Sequence, residues 1–245
     1  MLTPFVRSCI LAHARRLAAM TPPEEMAGVV VDGEFHPLNN QAEDRSGNFR
    51  IDTDQLKSFQ KIEAIVHSHP GGPAFPSLED MRQQQASALP WIIAVVPTAL
   101  NPTIVEDVFI WGEDPPVLDW TAGYRHGVSD CYALIRGWYA AHRGISLPEF
   151  PRHWEWWLDG HDLYAEGLAR AGFTRLAPSE VPEPGDVFLA SVRAPVINHA
   201  GIWCGDGLIA HHLAGRKPRD PCRLPVREPA ERWRKFIQAW ARRVT

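Results

Sequence analysis

Apolar residues first recur at helical spacing and then give way to short, nearly continuous runs. Val6, Ile10, Leu11, Leu17 and Met20 line up on one face of an opening helix. Beyond it, strands are predicted at Val29–Val31 and near Phe35, and again in "KIEAIVHSHP", "WIIAVVP" and "VEDVFIWG". "SLEDMRQQQASAL" lies among these strands with helical composition. The pattern then breaks at "GEDPPVLDW", residues 112–120, where two prolines, three acids and a glycine read as a linker. After the break come helices from "DCYALIRGWYAAH" and "DLYAEGLARAGF", strands "DVFLAS", "HAGIWC" and "GLIAHHL", and a closing helix "AERWRKFIQAWARR". No internal repeat or low-complexity stretch interrupts the order. The expectation is an α+β chain of two domains, 1–112 and 121–245, joined by 113–120.

Composition alters this picture little. Of 245 residues, 45% are hydrophobic and 22% charged, the balance of a globular protein with enough apolar surface for two cores. A formal charge of -4 gives no footing for nucleic acid or an anionic membrane surface. No apolar run is long enough to span a bilayer, so no membrane insertion is expected. His13, Arg15 and Arg16 interrupt the apolar N-terminus, which therefore reads as a helix and not a secretion signal. The chain is expected to accumulate inside the cell that makes it. Cys9, Cys131, Cys204 and Cys222 form no C-x-x-C pair, and three of them read as inert buried thiols. Cys131 is the exception.

Candidate chemistry gathers at two places. In "HSHPGGPAFPSLED", His67 and His69 alternate across Ser68, so both imidazoles leave one face of a strand. The Pro/Gly turn brings the chain back, and Ser77 and Asp80 stand three apart at a helix start. Two nitrogens and a carboxylate then converge, the inventory of a catalytic zinc site with a fourth position for water. Ser77 and Asp80 also suit an N-cap with an acid at N3, a purely structural device.

His-x-His-Pro, seven residues from His69 to Ser77 and two more to Asp80, resembles the JAMM/MPN metallopeptidases. The resemblance covers about residues 1 to 112. It implies a mixed sheet with helices and Zn2+ held by His67, His69 and Asp80. It also implies an upstream glutamate as general base, for which Glu25 in "PEEMAGVVV" is the candidate and Glu24 the surface acid. Ser77 would donate to the developing oxyanion.

The second place centres on Cys131, which follows Asp130 at the start of a helix whose inner face carries Leu134, Ile135 and Trp138. A thiol at a helix N-terminus feels the positive end of the dipole, so its thiolate is expected to be favoured. His199 and His211 fall on successive strands. If those strands form a hairpin, one histidine can pair with the thiol while the other orients it. "YRHGVSDCYAL", "PGDVFLA", "NHAGIW" and "LIAHHL" resemble the NlpC/P60 cysteine peptidases. That resemblance implies a papain-like domain with Cys131 as nucleophile, His199 as base and His211 as third member. Tyr132 replaces the usual small residue after the cysteine, His212 competes with His211, and Tyr124 is offered as a hydroxyl for the oxyanion site. Trp154, Trp156 and Trp157 carry no assigned role.

The two domains in this order resemble the lambda-type phage tail tip assembly protein K family. The resemblance implies a tail component with a peptidoglycan stem-peptide substrate and other phage tail tip proteins as partners. Its places are the tail or the host cytoplasm during assembly, and its action falls in the periplasm and wall. Three roles follow: a wall-cutting hydrolase, a processing protease for a tail protein or an isopeptide bond, and an assembly factor with vestigial sites.

Overall fold

Thr3 caps the first helix, α1 (Pro4–Ala18), by accepting from the Val6 amide at 3.2 Å, and Pro4 sits where a missing N–H costs nothing. Its buried stripe is Val6, Ile10, Ala14 and Ala18. Leu11 and Leu17 pack only at the margin, and Met20 lies past the helix end, 44% exposed. The inner face is therefore rotated toward small residues that let the helix approach a sheet. The computed structural model describes residues 2–114, 116–215 and 223–244. Contacts divide the chain into two units, Met1–Glu113 and Asp114–Thr245.

The first unit continues through β1 (Ala27–Val31), β2 (Glu34–Leu38), a short α2 (Thr53–Lys57), β3 (Ala64–Pro70), α3 (Leu78–Ser87), β4 (Trp91–Val96) and β5 (Asp107–Trp111). The sheet order is β2-β1-β3-β4-β5, with β3 and β4 parallel and the other pairs antiparallel. A parallel pair needs a crossover, and α3 lies in it. Alternation along β3 sends Ala64 and Val66 into the core beneath α1, so Ile65, His67 and His69 leave the opposite face. β4 is buried on both faces, which explains its unbroken apolar run.

The second unit holds α4 (Cys131–Arg143), α5 (Leu163–Gly167), β6 (Phe173–Arg175), β7 (Val187–Ala190), β8 (His199–Gly205), β9 (Leu208–His211), β10 (Val226–Pro229) and β11 (Ile237–Arg243). Its sheet runs β10-β9-β8-β7-β11-β6, antiparallel throughout. α4 packs on β8 and β9, joining Leu134, Ile135 and Trp138 to Leu189, Ala200, Ile202 and Ala210. Phe188, Ile209 and Trp233 form a second cluster on the other face. Residues within the 112–120 stretch are held to this unit: Asp114 pairs with Arg136 at 3.0 Å, and Leu118 and Trp120 pack on the core.

Two expected helices differ. The closing "AERWRKFIQAWARR" makes only a 3-10 turn, Ala230–Trp233, and then becomes β11. Its apolar spacing suits a helix, but β7 and β6 both pair with it, and that tertiary demand overrides the local pattern. The helix expected across 162–173 stops at Gly167, and Phe173 already opens β6.

Candidate active sites

The structure brings His67, His69 and Asp80 together on the α3 face of the first sheet. His67 Nε2 lies 3.1 Å from His69 Nε2 and 3.2 Å from Asp80 Oδ1, and His69 Nε2 lies 3.4 Å from Asp80 Oδ2. All three residues are buried. Ligands at about 2.0–2.1 Å in a tetrahedron stand about 3.3–3.4 Å apart, so these edges fit a zinc ion. His69 Nδ1 meets the Pro73 carbonyl at 2.9 Å, the kind of outer contact that fixes a ligating imidazole. His67 departs from that rule: among the described residues its buried Nδ1 has no hydrogen-bond partner, and the ring stacks on Phe49 at 4.3 Å.

Burial works against a charged Asp80, yet hydrogen bonds from His67 and His69 hold its carboxyl well below the usual range. Burial lowers His67, whereas at His69 the Asp80 carboxylate overrides burial and raises it. The metal-site and capping readings coexist. Asp80 Oδ2 accepts from the Ser77 amide at 2.7 Å, and Ser77 Oγ accepts from the Asp80 amide at 3.1 Å, a capping box that also aims the carboxylate. Ser77 itself is exposed and keeps its hydroxyl proton to donate.

Glu25 ends the segment before β1, fixed by backbone contacts to Arg45 and Asn40. It is buried, and burial pushes its carboxyl up to about 8, with His69 and Asp80 near enough for their charges to act on it. Gly28, three residues on, has a structural reason: a Cβ there would lie 2.5 Å from the Phe35 ring and 2.7 Å from the His36 carbonyl.

In the second unit Cys131 is the first residue of α4, and Asp130 caps it, accepting from Tyr132 and Ala133 at 3.1 and 3.0 Å. Asp130 is itself buried and paired with Arg152 at 2.7 Å, and Arg152 reaches Glu149 at 2.6 Å. Tyr132 fits beside the cysteine by donating to the Pro148 carbonyl and laying its ring near Phe150 and Arg152.

The thiolate expectation is corrected. Burial, then the Asp130 charge, push the Cys131 thiol up to about 11, outweighing the helix terminus. The Ala200 amide weakly favours the thiolate, and Cys131 lines the same cavity as Asn198, the residue before β8. The sulfur's side-chain partner is the Tyr164 hydroxyl at 3.3 Å, and among the described residues no hydrogen bond joins it to His199.

His199 Nε2 meets His211 Nδ1 at 3.1 Å, because β8 and β9 pair antiparallel with Gly201 opposite His211. Gly201 makes that approach possible; a Cβ on it would lie 2.3 Å from the Ala210 carbonyl and 2.7 Å from His211 Cβ. Burial, then His211, hold His199 well below the usual imidazole range. His211, and not His212, meets His199: His212 turns away to the Arg223 carbonyl at 2.7 Å and to Tyr124.

Three features escaped the sequence reading. Glu228 Oε1 lies 2.9 Å from His211 Nε2, Tyr164 holds the thiol, and Trp156 and Trp157 line the cavity that Cys131 opens into. Tyr124 lines the same cavity. No spacing rule marks Glu228 or Tyr164; the tryptophan cluster was the visible signal. Of the other cysteines, Cys9 and Cys204 are unpaired and partly buried, and Cys222 lies outside the described residues.

The description "prokaryotic homologs of the JAB domain" matches residues 7–108, and the NlpC/P60 family matches residues 109–227. Tail tip assembly protein K of Escherichia phage lambda is 36% identical over 189 residues, covering 77% of this chain and 82% of that protein. The tail tip assembly protein K of Escherichia phage N15 is 29% identical over 215 residues, covering 84% and 83%. Among solved structures, a lipoprotein-like NLP/P60 protein of Staphylococcus aureus is 18% identical, with a TM-score of 0.33 over 52% of this chain and 38% of that one.

Proposed function

The chain belongs to the phage tail tip assembly protein K family, with a JAB domain followed by an NlpC/P60 domain, and from that premise we propose that it is a tail peptidase. Its NlpC/P60 domain hydrolyses stem peptides of peptidoglycan, opening the wall for DNA entry. The observation that carries this reading is the juxtaposition of Cys131 at the N-terminus of α4, Asn198 lining the same cavity just before β8, and the His199–His211 pair that β8 begins. His199, kept neutral by burial, takes the thiol proton. The sulfur then attacks the peptide carbonyl, the amine leaves with the proton that His199 returns, and water releases the acyl fragment. Trp156 and Trp157 offer apolar walls to the substrate.

The JAB domain is a zinc-dependent peptidase or isopeptidase acting on a wall peptide or a tail protein. His67, His69 and Asp80 are its metal ligands, supported by their spacing. Bound zinc supplies Lewis acidity and acidifies a neighbouring water. Glu25, its carboxyl pushed up to about 8, acts as base through its ionised fraction, which grows as pH rises toward 8; in that form it takes a proton from the attacking water and passes it to the leaving amine. Ser77 donates to the oxyanion.

A second reading follows from the name of the relatives, which is that of an assembly protein. In it the chain builds the tail tip without cutting anything. Purified protein on sacculi separates the two. Iodoacetamide, with alkylation mapped to Cys131, is expected to stop muropeptide release, while a chelator leaves it intact. No release by untreated protein favours the assembly reading. Loss on chelation alone moves the wall-cutting activity to the JAB domain.

A further inference from the structure

Glu228 belongs to no motif in the sequence, yet it terminates the histidine pair. β10 pairs with β9 so that Val226 faces His211 and Glu228 faces Ile209, which puts Glu228 on the His211 face. Its Oε1 lies 2.9 Å from His211 Nε2 and 2.9 Å from Trp233 Nε1, and its Oε2 lies 3.3 Å from an Arg232 nitrogen. The Trp233 ring also packs at 4.4 Å on His211 and 5.1 Å on His199. Burial opposes ionisation of Glu228, but Trp233, His211 and Arg232 hold its carboxyl below the usual range. Arg223, His212 and Asp130 are the other charged or titratable groups whose fields reach the pair.

Resting on the reading that His199 deprotonates Cys131, we propose that Glu228 is a positioning residue that sets the tautomer of both histidines. An ionised carboxylate only accepts, so His211 carries its proton on Nε2. A neutral imidazole has one N–H, so His211 Nδ1 is an acceptor. His199 Nε2, 3.1 Å away, must therefore donate to it, and the lone pair of His199 is left on Nδ1. That lone pair receives the proton: the Cys131 S–H bond breaks, an Nδ1–H bond forms, and thiolate and imidazolium result. Without Glu228, His211 is free to protonate Nδ1, which turns His199 into the tautomer unable to act.

Imidazole ¹⁵N spectra of the full chain test this, recorded for the wild type, Glu228→Gln and Glu228→Leu under conditions where both histidines are neutral. Trp233 Nε1 can only donate, so the glutamine must place its oxygen where Oε1 stands, and that oxygen also serves His211. Wild type and Glu228→Gln are expected to hold Nε2–H on both rings, whereas Glu228→Leu moves a measurable share to Nδ1–H. Muropeptide release should fall about 10- to 100-fold in Glu228→Leu and less in Glu228→Gln. Nδ1–H on His211 in the wild type, or wild-type tautomers in Glu228→Leu, overturns the proposal. If the wild type releases nothing from sacculi, the peptidase reading fails while the spectra still decide the role of Glu228.

Discussion

Asp130→Asn tests how the second unit balances its fold against its thiol. Asp130 Oδ1 caps α4, while Oδ2 accepts from the Gly127 amide at 2.8 Å and from Arg152 at 2.7 Å. Asparagine has one oxygen, so whichever way it turns, an NH₂ faces donors. Arg152 would stay buried without one of its two close counter-charges, and breaking such a pair from one side costs about 3–5 kcal/mol. Arg152 keeps Glu149 and the Phe150 carbonyl, which places the cost near the lower end. About 3 kcal/mol corresponds to a drop of about 10 °C in the melting of a unit this size. The same change removes the negative charge beside Cys131, so the thiol should become more acidic than about 11. Calorimetry and the pH dependence of Cys131 alkylation read the two effects. A melt within about 2 °C of wild type, or a thiol that becomes less acidic, refutes the reasoning.

Other outcomes follow from single contacts. Gly201→Ala should cost about 1–3 kcal/mol and uncouple His199 from His211, because its Cβ meets the Ala210 carbonyl and Phe188; an unchanged melt contradicts this. Wild-type protein should bind one zinc by elemental analysis and His69→Ala none; a wild type that purifies metal-free and refuses added zinc makes that cluster structural. His126, buried, is lowered to about 4, chiefly by burial and then by Arg152, against about 6.5 unfolded. The unfolded chain therefore takes up the proton first as pH falls, and stability complete above pH 6.5 should decline by about 2–3 kcal/mol by pH 4.5. Denaturant titrations at both pH values check it, and His126→Gln should show the smaller decline.

Much of this was legible in the sequence because the chemistry sits on regular elements. Period-two alternation put His67 and His69 on one face, and an aspartate before a helical apolar pattern placed Cys131 at N1. Gly28 and Gly201, met as letters in a pattern, turn out to leave room for a ring and for backbone. What sequence could not supply was pairing at long range. β11 looks helical until β7 and β6 claim it, and Glu228 becomes relevant only because β10 pairs with β9. The thiol was misjudged for the same reason: the helix terminus is a local feature, whereas burial and the packing of Tyr164 are not.

Digestion of purified sacculi by wild type and Cys131→Ala, side by side with and without chelator, tests the central claim most directly. The account predicts muropeptide release by wild type in both conditions and none by Cys131→Ala. Release by Cys131→Ala at the wild-type rate, abolished by chelation, would contradict it.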